Sequence, residues 1–553
     1  MRSTTRKLAV MLVVALVATA CAGAADERRD EAQPEDATAV EDVEDVEEAP
    51  DGEVEASDDV LTAVFSNIAE TPTLDPAVIF SSDGMLFARN VYEGLLEYEA
   101  YTNEIAPALA TEWQIADDNV TYTFQLRDDV TFHDGSEFNA EVAQAGLERI
   151  LEVNQGPATL AGGIDSIQAT GDYELEIVLS SPNFFFLGSL PKFPIVSLEA
   201  WEEHATDDDP LASDWFSTNA AGTGPYELSR WDRNQAIYLT ANENYWREWD
   251  DAAPREVVLR VDPDTSTAMQ LLEAGEITAI GAIGPDESAQ GEAMDGVQLV
   301  EQPSFEVRML NLNVEREPLD DPRVREALSL AFDYQAMVDF FQGYGEVPRG
   351  PLPSGLEGQG ELYPQMEQDM ERARELLADA GYPDGGFEVE FLGLAGLSYQ
   401  EFAGNVLEQQ LGDLGISVSQ NLNPWPQMVE IQSNRDTANE ISFLNQSVAT
   451  PDPTYLINSA YASTNTADQG GYNWSYYDNP EIDRMLQEVR AEPDEAQRER
   501  MVEEMVGTIR DEHLAIYVIE PALAQPVLED WEVWYETLDF NYVIRFFFSR
   551  YNG

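Results

Sequence analysis

Apolar and polar residues alternate along "VTYTFQL": Val120, Tyr122, Phe124 and Leu126 fall on one face, polar residues on the other. A period of two is the pattern of a half-buried strand. "YELEIVL" repeats it with Tyr173, Leu175, Ile177 and Leu179. Between these strands the period changes. Asn139 can cap a helix whose Val142, Ala143, Leu147, Ile150 and Leu151 form an apolar stripe. In "DDPRVREALSLAFD", Asp321 caps a helix, Pro322 sits in its first turn, and Val324, Ala327, Leu328 and Ala331 face a core. "ERARELLADAGY" predicts a helix closed by Gly381. "EFAGNVLEQQLGDLGISV" predicts one closed by Gly415 that leads into a strand. The body is therefore expected to be mixed α/β, without an internal repeat.

Two early segments break this pattern. Leu8 to Ala20 is an apolar run behind Arg2, Arg6 and Lys7. It falls well short of the ~20 residues a membrane-spanning helix needs, and its positive flank fits a cleaved export signal, residues 1–20. Ala18, Thr19 and Ala20 precede Cys21, the only cysteine of the 553 residues. This stretch resembles a bacterial lipoprotein processing site, which implies cleavage before Cys21 and lipid on its sulfur and new amino terminus. Ala18 stands where such sites more often carry leucine. The alternative is ordinary secretion with an incidental cysteine. Residues 21–59 follow, and from Asp26 onward roughly half are acidic, a composition that stays extended rather than folding. They are expected to tether the body to a membrane surface. No later stretch is long and apolar enough to span a bilayer.

Charge narrows the function. The chain carries 106 Asp plus Glu against 29 Lys plus Arg, a net of −77. Nucleic acid is excluded as a partner, because phosphate binding needs clustered cations. The acids are spread along the body, which reads as a solvated surface suited to salty surroundings; affinity for cationic ligands is the other reading. So many acids make chance carboxylate pairs uninformative. His133, His204 and His513 lack metal-ligand spacing, and no nucleophile elbow, zinc-protease or phosphate-loop motif is present. No catalytic residue, metal or cofactor is expected. His133 reads as a packed strand residue, Arg323 and Arg325 as helix-start residues paired with nearby acids, and Gly135 as a positive-φ turn residue.

A series of longer motifs now takes on meaning. "TLDPAVIFSSDGMLFARNVYEGLLEYE", "APALATEWQIADDNVTYTFQLRDDVTFHDGSEFNAEVA", "GTGPYELSRW", "LTANENYW", "LLEAGEI", "LNLNVEREPLDDPRVREALSLAFDYQAMV", "YYDNPEIDRML" and "EHLAIYVIEPALA" run in order from Thr73 to Ala524. The chain resembles the family 5 extracellular solute-binding proteins, the large receptors that bind oligopeptides, dipeptides or nickel for bacterial ABC importers. The resemblance implies a two-lobed periplasmic-binding-protein (Venus flytrap) fold with an extra domain in the first lobe. Lobe I would comprise 60–84, 216–303 and 523–553, the extra domain 85–215, and lobe II 304–522. The chain would cross between lobes near Ser304 to Asn313 and Leu514 to Ala522. It also implies a monomeric receptor on the outer face of the cytoplasmic membrane, closing on its solute and docking on permease subunits. An exported acidic hydrolase is the competing class.

The solute is tested by the family's anchors. Dipeptide receptors resemble W-x-x-D-x-x-D-P, where the first aspartate pairs with the peptide ammonium. Here the "DP" pair is Asp452-Pro453, so that aspartate falls on Ala449 and the tryptophan on Gln446. The carboxylate-binding arginine falls near Leu397, with no arginine close by in sequence. A zwitterion buried without charged partners is costly, which argues against a free dipeptide. A longer peptide, or a neutral solute such as an oligosaccharide, remains. The ligand-binding set implied by the resemblance is Phe80, Ser82, Trp425, Asn445, Gln446, Asp452, Asn473 and Trp474.

Overall fold

The computed structural model describes residues 62–553, except 101, 103, 262–263, 282, 357–362 and 539–542. The expected signal segment, Cys21 and the acidic segment after it lie outside the described residues.

One twelve-stranded sheet dominates. Its order runs 417–423, 388–394, 441–447, 306–312, 515–528, 279–280, 62–68, 256–261, 236–241, 226–232, with 297–303 and 345–346 also pairing onto 515–528. The long strand Ala515–Leu528 is the seam. Its beginning pairs with Glu306–Leu312, where Asn311 faces Ala515 and Arg308 faces Ile519. Its end pairs with Val297–Pro303, from Pro303 opposite Ala522 to Val297 opposite Leu528. Two sheet halves are thus joined where the chain passes from 303 to 306 and from 519 to 522.

Each half has its own core. On one, Phe65, Leu239, Val257 and Leu259 of the sheet pack against Leu86, Phe87 and Val91 of the helix Ser82–Val91. On the other, Phe391, Ile441 and Phe443 pack against the helices Pro322–Ala331, Met370–Asp379 and Ser398–Gly412. The first begins as the sequence predicts, with Asp321 accepting the N–H of Arg323, and the other two are followed by Gly381 and Gly415 at positive φ, as expected.

A separate four-stranded sheet, in the order 110–115, 121–126, 174–179, 164–171, contains both alternating segments. Phe124 faces Leu175 and Tyr122 faces Ile177, and these inward residues are buried while their neighbours are not. Burying each such side chain contributes about 1.5–3 kcal/mol. The helix Ala140–Val153, capped by Asn139, covers them with Ala143, Leu147 and Ile150.

His133 lies in a turn rather than a strand. Nε2 meets the carbonyl of Gly224 at 2.9 Å, Nδ1 accepts the N–H of Gly222, and burial holds the ring at a pKa of about 4, so it is neutral. Gly222, whose N–H meets this ring, has to be glycine because of crowding: a Cβ there would lie 2.1 Å from the carbonyl oxygen of Val91. Arg323 pairs with Asp321, and Arg325, buried, pairs with Glu512, as expected of helix-start residues.

The core also holds charge. Arg149 grips Asp75 through two bonds of 2.9 and 2.8 Å. Glu536, fully buried, meets Arg89 at 2.9 Å and both Lys192 and Arg545 at 3.3 Å. Those cations outweigh burial and hold the Glu536 carboxyl well below the usual range.

Candidate functional site

The strands Glu388–Leu394, Ser417–Asn423 and Ile441–Ser447 are parallel, so their carboxyl ends share one edge of the sheet. Glu306–Leu312 runs antiparallel to the last of these, which brings Glu306 to that edge opposite Ser447. Ile519 and Glu520 of the long strand arrive there too. In open α/β sheets the carboxyl edge is where ligands bind.

On one face of this edge is a polar group built around Tyr399. Leu394 ends its strand, Gly396 takes a positive φ, and the helix Ser398–Gly412 starts, which sets Tyr399 in the first helical turn. Its hydroxyl accepts the Asn445 amide at 2.9 Å. The guanidinium of Arg308, opposite Asn445 in the strand pairing, lies 4.1 Å over the Tyr399 ring and 4.9 Å from Phe341. Nε of Arg308 donates to Glu306 at 2.6 Å. Two rings and one carboxylate are among the groups that hold this cation, and it is half-buried.

Arg308 lies over Tyr399, two residues after Leu397. No arginine is near in sequence, but this one is brought there by strand pairing. No motif in the sequence marks Tyr399 or Arg308. The only sequence signal was the alternation in "FEVRMLNL", which predicts a strand without naming its neighbours.

Asn445 and Gln446, being adjacent on a strand, point to opposite faces. Asn445 is exposed, whereas Gln446 is buried beside Leu444 and opposite Val307. On that second face, Leu444 packs with Leu392, Met428 and Trp474. Trp425 opens the helix Trp425–Gln432 after Pro424 and stacks on Trp474 at 5.6 Å and on Tyr472 at 6.4 Å. Trp474 is buried, Trp425 half-buried, and Tyr472 is 44% exposed, so Tyr472 is the ring of this stack most open to solvent. Nothing in "GGYNWSYY" sets it apart from its neighbours in sequence.

The other expected residues have structural partners. Asn473 is fully buried; its amide donates to the carbonyls of Ala462 and Tyr477 and accepts from Ser475 and the N–H of Tyr477. All four of its hydrogen-bonding positions are used. Asp452 caps the helix Pro453–Tyr461, taking both the N–H and hydroxyl of Thr454, at 2.8 and 2.6 Å. Burial raises its pKa. Ala449 is buried. Phe80 and Ser82 sit at the start of the helix Ser82–Val91 on the first half, where Phe80 borders a small apolar recess with Met85, Tyr92 and Pro194. The described contacts thus gather Arg308, Tyr399 and Asn445 on one face, and Trp425, Tyr472 and Trp474 on the other. Among the described residues no group of acids, histidines and cysteines is arranged to hold a metal ion, and no helix is long and apolar enough to cross a membrane.

The chain matches the family described as "Bacterial extracellular solute-binding proteins, family 5 Middle" over residues 104–468. It is 27% identical over 465 residues to a probable D,D-dipeptide-binding periplasmic protein of Escherichia coli K12, covering 83% of this chain and 88% of that protein. It is 27% identical over 459 residues to the glutathione-binding protein GsiB of Salmonella typhi, covering 81% and 86%. Among solved structures, HbpA2 of Haemophilus parasuis superposes with a TM-score of 0.77 at 23% identity, over 87% of this chain and 99% of that one. DppA of Helicobacter pylori, in complex with the peptide STSA, gives 0.72 at 23% identity, over 90% and 99%. The α/β fold expected from the sequence is the two-lobed fold of these proteins.

Proposed function

We propose that this chain, which belongs to the bacterial extracellular solute-binding proteins of family 5 and is a binding protein rather than an enzyme, captures a small carboxylate-bearing solute, a short peptide foremost. The observation that carries this reading is Arg308, held over Tyr399 beside Asn445 at the carboxyl edge of the sheet. A guanidinium held by its stacking face is of the chemistry that pairs with a carboxylate. The relatives named for D,D-dipeptide and glutathione, and the structure holding STSA, carry solutes of that chemistry.

In this reading lobe I comprises 60–84, 216–303 and 523–553, an extra domain 85–215, and lobe II 304–522. Solute contacts from both lobes favour the closed form, which docks on ABC importer permease subunits. Residues 1–20 direct export. Lipid on Cys21 and the acidic segment to 59 hold a monomer at the outer face of the cytoplasmic membrane, raising its effective concentration near the permease. A Cys21→Ser variant then leaves the membrane fraction; a variant that stays membrane-bound contradicts the anchor.

Oligosaccharide capture is the second reading. It is favoured by the exposed ring of Tyr472 stacked on Trp425 and by Ala449 in place of an acid. A thermal-shift screen separates the two, since ligand binding only the folded state raises its melting point. Shifts with short peptides and none with oligosaccharides are expected; the reverse defeats the peptide reading.

A further inference from the structure

Three phenylalanines follow one another in "SSPNFFFLGSL", just after the strand Glu174–Leu179 of the separate four-stranded sheet. They do not share one environment. Phe186 is buried in that sheet's core, edge-on to Tyr122 at 5.2 Å. Phe184 and Phe185 are only half-buried. Asn183 sets the turn that carries them: its Oδ1 accepts the N–H of Phe185 at 3.1 Å, and its carbonyl accepts the Tyr122 hydroxyl at 2.8 Å. Two adjacent rings tied to a surface turn lie open to water unless another part of the chain covers them.

The cover comes from the segment 304–522. The N–H of Phe184 donates to the carbonyl of Arg490, at the end of the helix Pro480–Ala491, at 2.9 Å. The guanidinium carbon of Arg498, on the helix Glu495–Asp511, lies 5.3 Å from the Phe184 ring centre and 5.9 Å from that of Phe185. A cation within about 6 Å of a ring face is attracted to it. Arg498 is held in place by donating to the carbonyls of Glu492 and Pro493 at 3.0 and 3.1 Å. Phe185 also packs against the apolar cluster to which Leu456, Leu486 and Met505 of this segment belong. Further along the turn, Gly188 approaches Pro451 so closely that a Cβ would lie 3.2 Å from two of its ring carbons. Each side is braced from behind. The Tyr98 hydroxyl donates to the Gly188 carbonyl at 2.8 Å, and Arg325 ties the end of the helix Glu495–Asp511 to the core of its own half through Glu512.

We infer that the turn 183–188 is a closure latch, through which the extra domain grips lobe II and holds the closed form by contacts that the solute does not make. The inference rests on the division into lobes given under the proposed function, and not on the identity of the solute. Opening the cleft exposes Phe184 and Phe185 and hands the Phe184 N–H to water; closing it buries both rings again. None of the contacts named here involves Arg308, Tyr399 or Asn445. They do reach the segment next to that site: Pro451 stands two residues beyond Ala449, and Nε of Arg490 donates to the Thr454 hydroxyl at 3.1 Å. Solute and latch therefore favour the same closed form, and the latch raises apparent affinity by raising the fraction of protein already closed.

The test measures the separation of the extra domain from lobe II by pulsed electron spin resonance in the full chain. Spin labels are placed through Ser166→Cys and Glu504→Cys, both exposed positions, with Cys21→Ser removing the native thiol. This labelled chain is compared with the same chain carrying Phe184→Ala, Arg498→Ala or both, each without solute and with trialanine. Without solute, the labelled chain is expected to populate a short separation, and Arg498→Ala to lower the ratio of short to long separations roughly two- to fivefold, the size of one exposed cation–π contact. Phe184→Ala is expected to lower it further, and both substitutions together to give mainly the long separation. If Phe184→Ala loses its fold, read as a collapsed melting point, Arg498→Ala at a half-buried surface position carries the test. A separation that both substitutions leave alone overturns the latch, whether or not trialanine binds. If trialanine still shortens that separation, the lobes move and only the latch falls. One short separation in every chain, with and without trialanine, describes a rigid body and takes the lobe division down with the latch.

Discussion

The guanidinium carbon of Arg308 lies 4.1 Å from the centre of the Tyr399 ring. One residue comes from the strand that leaves the crossing, the other from the first turn of a helix that follows a different strand. The pairing converts a flexible cation into one of fixed direction, because ring, carboxylate and neighbouring strand each remove a degree of freedom. A fixed cation loses less entropy on meeting a carboxylate.

Arg308→Ala is therefore expected to weaken binding of a short peptide about 10- to 100-fold, at about 1.4 kcal/mol per tenfold. Arg308→Lys is expected to restore little, since an ammonium has no planar face to stack on Tyr399. Calorimetric titration of both variants checks this. A lysine variant with wild-type affinity would show that charge alone suffices.

Asn473 is expected to behave in the opposite way. Asn473→Ala strands two carbonyls, an N–H and a hydroxyl in the interior, a loss of about 2–4 kcal/mol from unmade buried hydrogen bonds. Urea denaturation reads that loss. Affinity of the folded fraction is expected to stay at the wild-type level; a variant of normal stability and weakened binding would place Asn473 against the solute instead.

Glu536→Ala leaves Arg89, Lys192 and Arg545 buried around a missing carboxylate. Breaking a buried ion pair from one side costs about 3–5 kcal/mol, and three cations lose a carboxylate partner here. The variant is expected to unfold at markedly lower urea. Retention of the wild-type midpoint would mean that the three cations find other partners.

Glu520 gives a pH signature. Burial, and then Glu346 opposite it in the strand pairing, push its carboxyl up to about 7 in the folded protein against an ordinary 4.5. Between these values the folded chain binds more protons than the unfolded one, so this residue makes stability fall as pH rises. His133 and His513, both held near 4 by burial, act with the opposite sign between about 4 and 6.5, where the unfolded chain binds more protons. The difference between Glu520→Gln and the wild type isolates the glutamate. It is expected to grow in favour of the variant from pH 5 to pH 8, by at most on the order of 3 kcal/mol. A flat difference would mean that Glu520 titrates normally.

Local pattern foretold local structure well. The alternation at 120–126 and 173–179, the Asn139 cap and the glycines at 381 and 415 each depend on near neighbours in sequence, and each appears as predicted. The site was less legible. Arg308 meets Tyr399 only through strand order, which no local period encodes. Asn445 and Gln446 look equivalent as a pair of amides, yet the strand pleat sends them to opposite faces. Asn473 and Asp452 have suitable chemistry for a ligand, but whether an amide or carboxylate is already satisfied depends on tertiary neighbours. Tyr472 was hidden beside two residues of equal promise, and exposure alone distinguishes it.

Native mass spectrometry of the folded body, purified gently enough to retain its solute, tests the central claim most directly. The account predicts a one-to-one complex with a peptide or another carboxylate-bearing solute, lost in Arg308→Ala. A discrete neutral oligosaccharide that survives that substitution would contradict it.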